Sequence, residues 1–138
     1  MLLRAEHDLL RRNLGNAIET VRDGDAPKAG RTAVRALLAS VRHHMRREEK
    51  ALYPVCERLF GGPESAIAVL RRDHEAIGEA VDTLAPSARA APGLEGRLVG
   101  LAGLLDAHLS REERVLFPLA ASRMTEAETA FLLRELRK

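Results

Sequence analysis

The chain has 138 residues, of which 46% are hydrophobic and 30% charged, a balance typical of a globular domain with one hydrophobic core. Its net charge is only +2, and no basic block is long enough to favour nucleic-acid binding. No apolar stretch reaches the length that spans a bilayer, so we expect no membrane segment and a cytoplasmic protein. The single cysteine, Cys56, excludes an internal disulfide and a cysteine-based zinc site.

Turn-forming residues divide the chain into segments with helical periodicity. The breaks are "DGDAP", "GGP" and "APSARAAPG", and Thr125 and Glu128 have the spacing of a capping box. We predict helices at about 2–22, 28–60, 63–85, 94–121 and 126–136. Because short connections favour antiparallel neighbours, the chain is predicted to be all-α. It should form one domain, residues 1–138, built as an antiparallel up-down-up-down four-helix bundle with a short C-terminal helix.

Two stretches of the sequence repeat one pattern. "HMRREEKALYP" from residue 44 and "HLSREERVLFP" from residue 108 both read His-x-x-x-Glu-Glu-x-x-Leu-aromatic-Pro. His7 precedes His44 by 37 residues, and His74 precedes His108 by 34 residues. The first two helices and the next two are therefore interpreted as two copies of one helical hairpin.

Each of the four bundle helices carries one histidine within its apolar stripe, and two of them add a glutamate one turn later. With about 1.5 Å of rise per residue, their distances from the loops place them in one layer about two turns thick. An unpaired buried carboxylate costs several kcal/mol, a cost that metal coordination removes. Imidazoles and bridging carboxylates without thiolate suit iron or manganese, with zinc possible. The predicted metal ligands are His7, His44, Glu48, His74, His108 and Glu112.

Other interpretations of these residues are less favourable. A single buried histidine is more often a hydrogen-bonded core residue, but four at one level favour a metal site over a bundle without metal. The zinc-protease motif His-Glu-x-x-His would need a histidine where Gly78 stands. His43 has no counterpart in the second motif and is interpreted as a surface residue or a support of the site. Glu49 and Glu113 are interpreted as solvent-exposed or as partners of nearby arginines.

The pattern carried by His7, "HMRRE", His74 and "HLSRE" resembles the hemerythrin-like, or HHE cation-binding, family over residues 1–121. The resemblance implies an antiparallel four-helix bundle around two iron ions, a non-haem di-iron centre with an oxo or hydroxo bridge. Manganese and zinc are possible substitutes. Carried over residue by residue, the family's ligands are the six residues named above.

The chain departs from the oxygen-carrying hemerythrins at two places. Those proteins have a further histidine where Gly78 stands, and a His-x-x-x-x-Asp where this chain has His-x-x-x-Glu. The six-ligand pattern is similar to that of bacterial iron-centre repair proteins and actinobacterial hemerythrin-like proteins. The resemblance implies a centre that binds or reacts with a small ligand: oxygen, nitric oxide or peroxide. A non-catalytic iron-binding sensor or iron-donor module is the alternative, so catalytic turnover is left open.

Overall fold

A computed structural model describes residues 2–23, 27–61, 65–87 and 93–138. Within these ranges the chain is helical and contains no strand, as the sequence predicts. The predicted start of the third helix at residue 63 lies outside the described residues. The helices are α1 (Leu2–Asp23), α2 (Pro27–Arg47), α3 (Tyr53–Phe60), α4 (Ala66–Ser87), α5 (Leu94–Arg111), α6 (Phe117–Arg123) and α7 (Glu126–Leu136).

The four long helices pack in a ring. Helix α1 packs against α2 and α5, and α4 packs against the same two helices. Arg22 at the end of α1 pairs with Glu95 at the start of α5, with a nitrogen–oxygen distance of 2.5 Å. Nearer the start of α1, Arg11 pairs with Asp106 near the end of α5. Both pairs show that α1 and α5 run antiparallel, as the predicted bundle requires. The predicted all-α bundle is confirmed. Assignment of all 138 residues to one domain stays a prediction.

Two π-helical turns interrupt the helices, and each begins at a motif glutamate. The turn Glu48–Leu52 joins α2 to α3, and the turn Glu112–Leu116 joins α5 to α6. Each is followed by an aromatic residue and then a proline, which has no N–H and whose ring clashes with the carbonyl four residues earlier. A wider turn before the proline relieves that clash. The backbone N–H of Tyr53 accordingly donates to the carbonyl of Glu48, five residues back.

The six predicted ligands lie between two apolar clusters. One cluster, built around Leu14, Leu37, Val81 and Leu101, fills the end of the bundle nearer the α1–α2 and α4–α5 connections. The other fills the opposite end and contains Leu3, Leu70, Leu116 and, from α7, Leu132 and Leu136. The two clusters exclude water from the layer between them on both sides.

Helix α7 closes the second apolar cluster. It begins with the predicted capping box: the Glu128 N–H donates to Thr125 Oγ1 at 3.1 Å, and the Thr125 N–H donates to Glu128 Oε1 at 3.0 Å. This confirms the boundary predicted from the sequence. No helix within the described part of the chain is both long and apolar enough to cross a membrane.

Candidate metal centre

All six residues predicted as ligands lie in one buried layer. Each has an exposed fraction of 4% or less, and they are the buried polar residues of the described part of the chain: His7, His44, Glu48, His74, His108 and Glu112. Four helices carry these residues into the core. A charged side chain there loses its hydration, so something else must compensate for the lost contacts with water. The structure therefore brings together every residue that the sequence predicted.

The layer divides into two overlapping groups of four residues. The first half-site consists of His7 and His44 with Glu48 and Glu112, and the second half-site of His74 and His108 with the same two glutamates. Within each half-site, one atom from each residue lies within 4.8 Å of the others. Because both carboxylates belong to both half-sites, each can span two cations.

The first half-site contains polar atoms without hydrogen-bond partners. His7 Nε2, His44 Nε2, Glu48 Oε2 and Glu112 Oε1 are buried and make no hydrogen bond within the described chain. The His7 Nε2 atom lies 3.2 Å from Glu112 Oε1, and His44 Nε2 lies 3.2 Å from Glu48 Oε1. Native interiors rarely leave one buried polar atom unsatisfied, so four that converge on one point indicate a cation site.

The second half-site contains a residue that the sequence analysis did not assign to the site. The Tyr53 hydroxyl lies 3.0 Å from Glu112 Oε2, 3.0 Å from His74 Nε2 and 3.5 Å from Glu48 Oε1. Burial and the charges of Glu48 and Glu112 raise the pKa of Tyr53, so its phenol is a neutral donor. It has one hydrogen for three acceptors, and therefore cannot satisfy the half-site alone.

Each imidazole is oriented by a carboxylate from a neighbouring helix. The four Nδ1–carboxylate distances are 2.8 Å for His7–Glu113, 2.5 Å for His44–Glu6, 2.9 Å for His74–Glu49 and 3.2 Å for His108–Asp73. We call these four acids the carboxylate ring, because each helix supports the histidine of the next around the bundle. If each neutral imidazole donates its Nδ1 hydrogen to the ring, its Nε2 lone pair points into the layer.

In this neutral form the two imidazoles of the second half-site cannot satisfy each other. With both Nδ1 atoms donating outwards, the His74 and His108 Nε2 atoms, 3.1 Å apart, face each other with lone pairs. That contact is repulsive unless a cation or a shared hydrogen lies between them. Four imidazole nitrogens and two carboxylates then converge with too few hydrogen atoms to pair them all. This combination of nitrogen and oxygen atoms is typical of the ligands of a metal centre.

The electrostatics of the layer favour positive charge. Burial by itself disfavours an imidazolium, but the nearby carboxylates of Glu112 and Glu48 outweigh it and raise the pKa of His7 to about 9 and that of His44 to about 11. Burial likewise disfavours a charged carboxylate, yet hydrogen bonds with the surrounding side chains hold the pKa of Glu48 well below its usual range. Two buried carboxylates thus attract protons or metal ions to the same place.

A family comparison agrees with this geometry. The model of the hemerythrin HHE cation binding domain matches residues 2–120. The chain belongs to this family. No curated protein and no solved structure gives a significant match. As a member of the HHE family, the chain is a metal-binding helical protein, and the match ends before α7 begins at Glu126.

The sequence analysis missed five side chains around the buried layer. Tyr53 was noted only as part of a repeated motif, and the carboxylate ring of Glu6, Glu49, Asp73 and Glu113 was not recognised. Glu113 does pair with Arg11, as one of the two interpretations held, but it also contacts His7. A signal was present in the sequence, because every ring acid is adjacent to a predicted ligand along the chain. His43 is exposed and outside the layer, as expected.

Proposed function

We propose that the two half-sites each hold one iron ion, with Glu48 and Glu112 bridging the pair. The proposal is supported chiefly by the two carboxylates that belong to both half-sites, and by the unpartnered atoms of the first half-site. The proposed ligands are His7, His44, Glu48, His74, His108 and Glu112. Two imidazoles and two shared carboxylates then give each ion four protein ligands.

Iron is the metal that this donor set favours. Imidazole and carboxylate ligands without thiolate suit iron or manganese better than the softer metals. The single cysteine, Cys56, belongs to neither half-site, and burial together with the charges of Glu112 and Glu48 raises the pKa of its thiol to about 12. Zinc and manganese are substitutes that the same ligands accept.

We further propose that this centre binds or reacts with a small ligand: oxygen, nitric oxide or peroxide. A di-iron group with fewer protein ligands than iron prefers supplies open positions and redox chemistry. The chain supplies the surroundings: apolar clusters that exclude water, carboxylates that orient the imidazoles, and the Tyr53 hydroxyl as a neutral hydrogen-bond donor inside the second half-site. The Tyr53 hydroxyl donates a hydrogen bond to Glu112 Oε2 at 3.0 Å.

Metal analysis with an optical spectrum tests the proposal. We expect about two iron ions per chain and the absorption bands of a bridged di-iron group. A chain purified from its own cell without iron, or with one ion that no excess of iron raises to two, contradicts the di-iron proposal. Consumption of peroxide or reduction of nitric oxide by the loaded protein distinguishes reaction from the alternative, a sensor or iron-donor module without turnover.

A further inference from the structure

The carboxylate ring is symmetric in sequence but not in its arginine partners. Glu6 pairs with Arg47, and its repeat counterpart Asp73 pairs with Arg111 at 2.9 Å. Glu113 receives two hydrogen bonds from Arg11 Nη1, at 2.8 and 3.2 Å. The fourth acid, Glu49, has no arginine partner among the described residues. Its exposed fraction is 45%, against 18 or 19% for the other three.

The missing arginine has a definite cause in the sequence repeat. Arg11 lies four residues after His7, and the residue four after the equivalent His74 is Gly78. Glycine has no side chain with which to hold Glu49. A Cβ added at Gly78 meets no atom within 4 Å, so the space beside this position is open. This one difference between the two copies of the hairpin therefore leaves one of the four carboxylates that contact histidines without an arginine partner.

We propose that the metal centre exchanges ions with solvent at His74 and its supporting carboxylate, Glu49. This inference rests on the proposed metal centre. In the first half-site both histidines are held by carboxylates that are themselves held by arginine. In the second half-site only His108 has such support, because the carboxylate that contacts His74 belongs to Glu49, which is exposed and has no arginine partner among the described residues. The support of a ligand decides how often it leaves the metal, so the second half-site loses its ion first.

Release of metal to an excess of a strong chelator tests the proposal without measuring any reaction of the centre. We expect two phases in the unmodified protein, one ion leaving faster than the other. Gly78→Arg supplies the missing partner of Glu49 and should slow the fast phase about tenfold, within the range known for residues that support metal ligands. Gly78→Ala is the matched control: it adds a side chain without a guanidinium and should leave the fast phase unchanged.

Two further variants show whether the effect passes through Glu49. In a Glu49→Gln background, Gly78→Arg should no longer slow the fast phase, because the carboxylate that it pairs with is gone. An equal slowing in that background overturns the proposal. Arg11→Ala removes the corresponding support from Glu113 and should accelerate the slow phase about tenfold, so that the two phases approach each other. This variant decides the question if Gly78→Arg does not fold.

The outcomes separate this inference from the proposed function. A protein that binds no metal fails both. A protein that binds two ions but releases them in one phase, or in two phases that neither Gly78→Arg nor Arg11→Ala alters, retains the proposed function and loses the inference.

Discussion

The α1–α2 hairpin and the α4–α5 hairpin contribute the same ligands in different surroundings. Each provides one histidine from its first helix and a His-x-x-x-Glu pair from its second. The aromatic residue after each π-helical turn differs, however. Tyr53 lies against His74 with ring centroids 5.1 Å apart, whereas Phe117 stacks on His7 at 5.4 Å. One half-site thus has a hydroxyl donor and the other an apolar ring, so equal ligands do not make equal sites.

The largest expected effect is the loss of thermal stability when metal is removed, which tests whether the ligand layer holds the two hairpins together. Its ligands come from both, so removing metal leaves two buried carboxylates whose charge only protons on the surrounding histidines can compensate. Binding to the native state alone adds a few kcal/mol at saturating metal, and each kcal/mol is worth about 2–4 °C at this chain length. Chelation should lower the melting temperature by about 10 °C, measured by calorimetry on the same sample before and after verified removal. An unchanged melting curve contradicts a buried site.

Replacing the glutamate of either hairpin should reduce metal content to the same extent. Glu48→Ala and Glu112→Ala each remove a carboxylate that belongs to both half-sites, so metal content should fall below two ions in either variant. Glu57→Ala is the control, because Glu57 pairs with Arg71 at the surface. Metal content after exposure to excess iron is the measurement. If one of the two glutamates can be lost without effect, the centre has only one bridge.

Exchanging the two aromatic residues tests the difference between the half-sites directly. Tyr53→Phe deletes the hydroxyl that contacts Glu112 and His74. It should lower the affinity for one of the two ions by up to tenfold, and two ions should still bind at saturation. Loss of that hydrogen bond costs about 1 kcal/mol, or 2–4 °C.

Phe117→Tyr, measured in the same metal titration, is the reciprocal variant. It places a hydroxyl beside His7, where Nε2 has no hydrogen-bond partner. Identical titrations for the unmodified protein and both variants mean that the aromatic residue does not distinguish the half-sites.

The sequence predicted the helices and the layer because their signals are regular. The 3.6-residue periodicity placed one histidine on each apolar stripe, and the loop distances placed them at one level. All six residues are buried together in the structure. The capping box at Thr125 was likewise local, and its two hydrogen bonds are both present.

Tyr53 was missed because regular periodicity fails at the π-helical turn. In an α-helix, five residues rotate the chain by about 500°, which sets Tyr53 about 140° away from Glu48. The wider turn brings the fifth residue nearly above the first, so the tyrosine enters the layer. The prolines at 54 and 118 were the available signal for that turn.

The carboxylate ring was missed for a different reason. Each of its acids supports a histidine on another helix, and the pairing depends on how neighbouring helices are rotated about their axes. Glu49 and Glu113 do lie beside the motif glutamates on the helix surface, as the sequence suggested. That surface faces the adjacent helix as well as solvent, and only the assembled bundle shows that it reaches His74 and His7.

The smallest expected effect concerns the one histidine without a counterpart. His43 precedes His44 in α2, and a helix separates consecutive side chains by about 100°. His44 is buried in the first half-site, whereas His43 is exposed beside α7, where it lines a cavity with Arg46 and Glu135. His43→Ala should therefore leave metal content unchanged and alter stability by about 0.5 kcal/mol at most. His44→Ala should lose metal from the first half-site. Parallel metal analysis and melting of the two variants make the comparison, and the opposite result would place helix α2 one residue out of register.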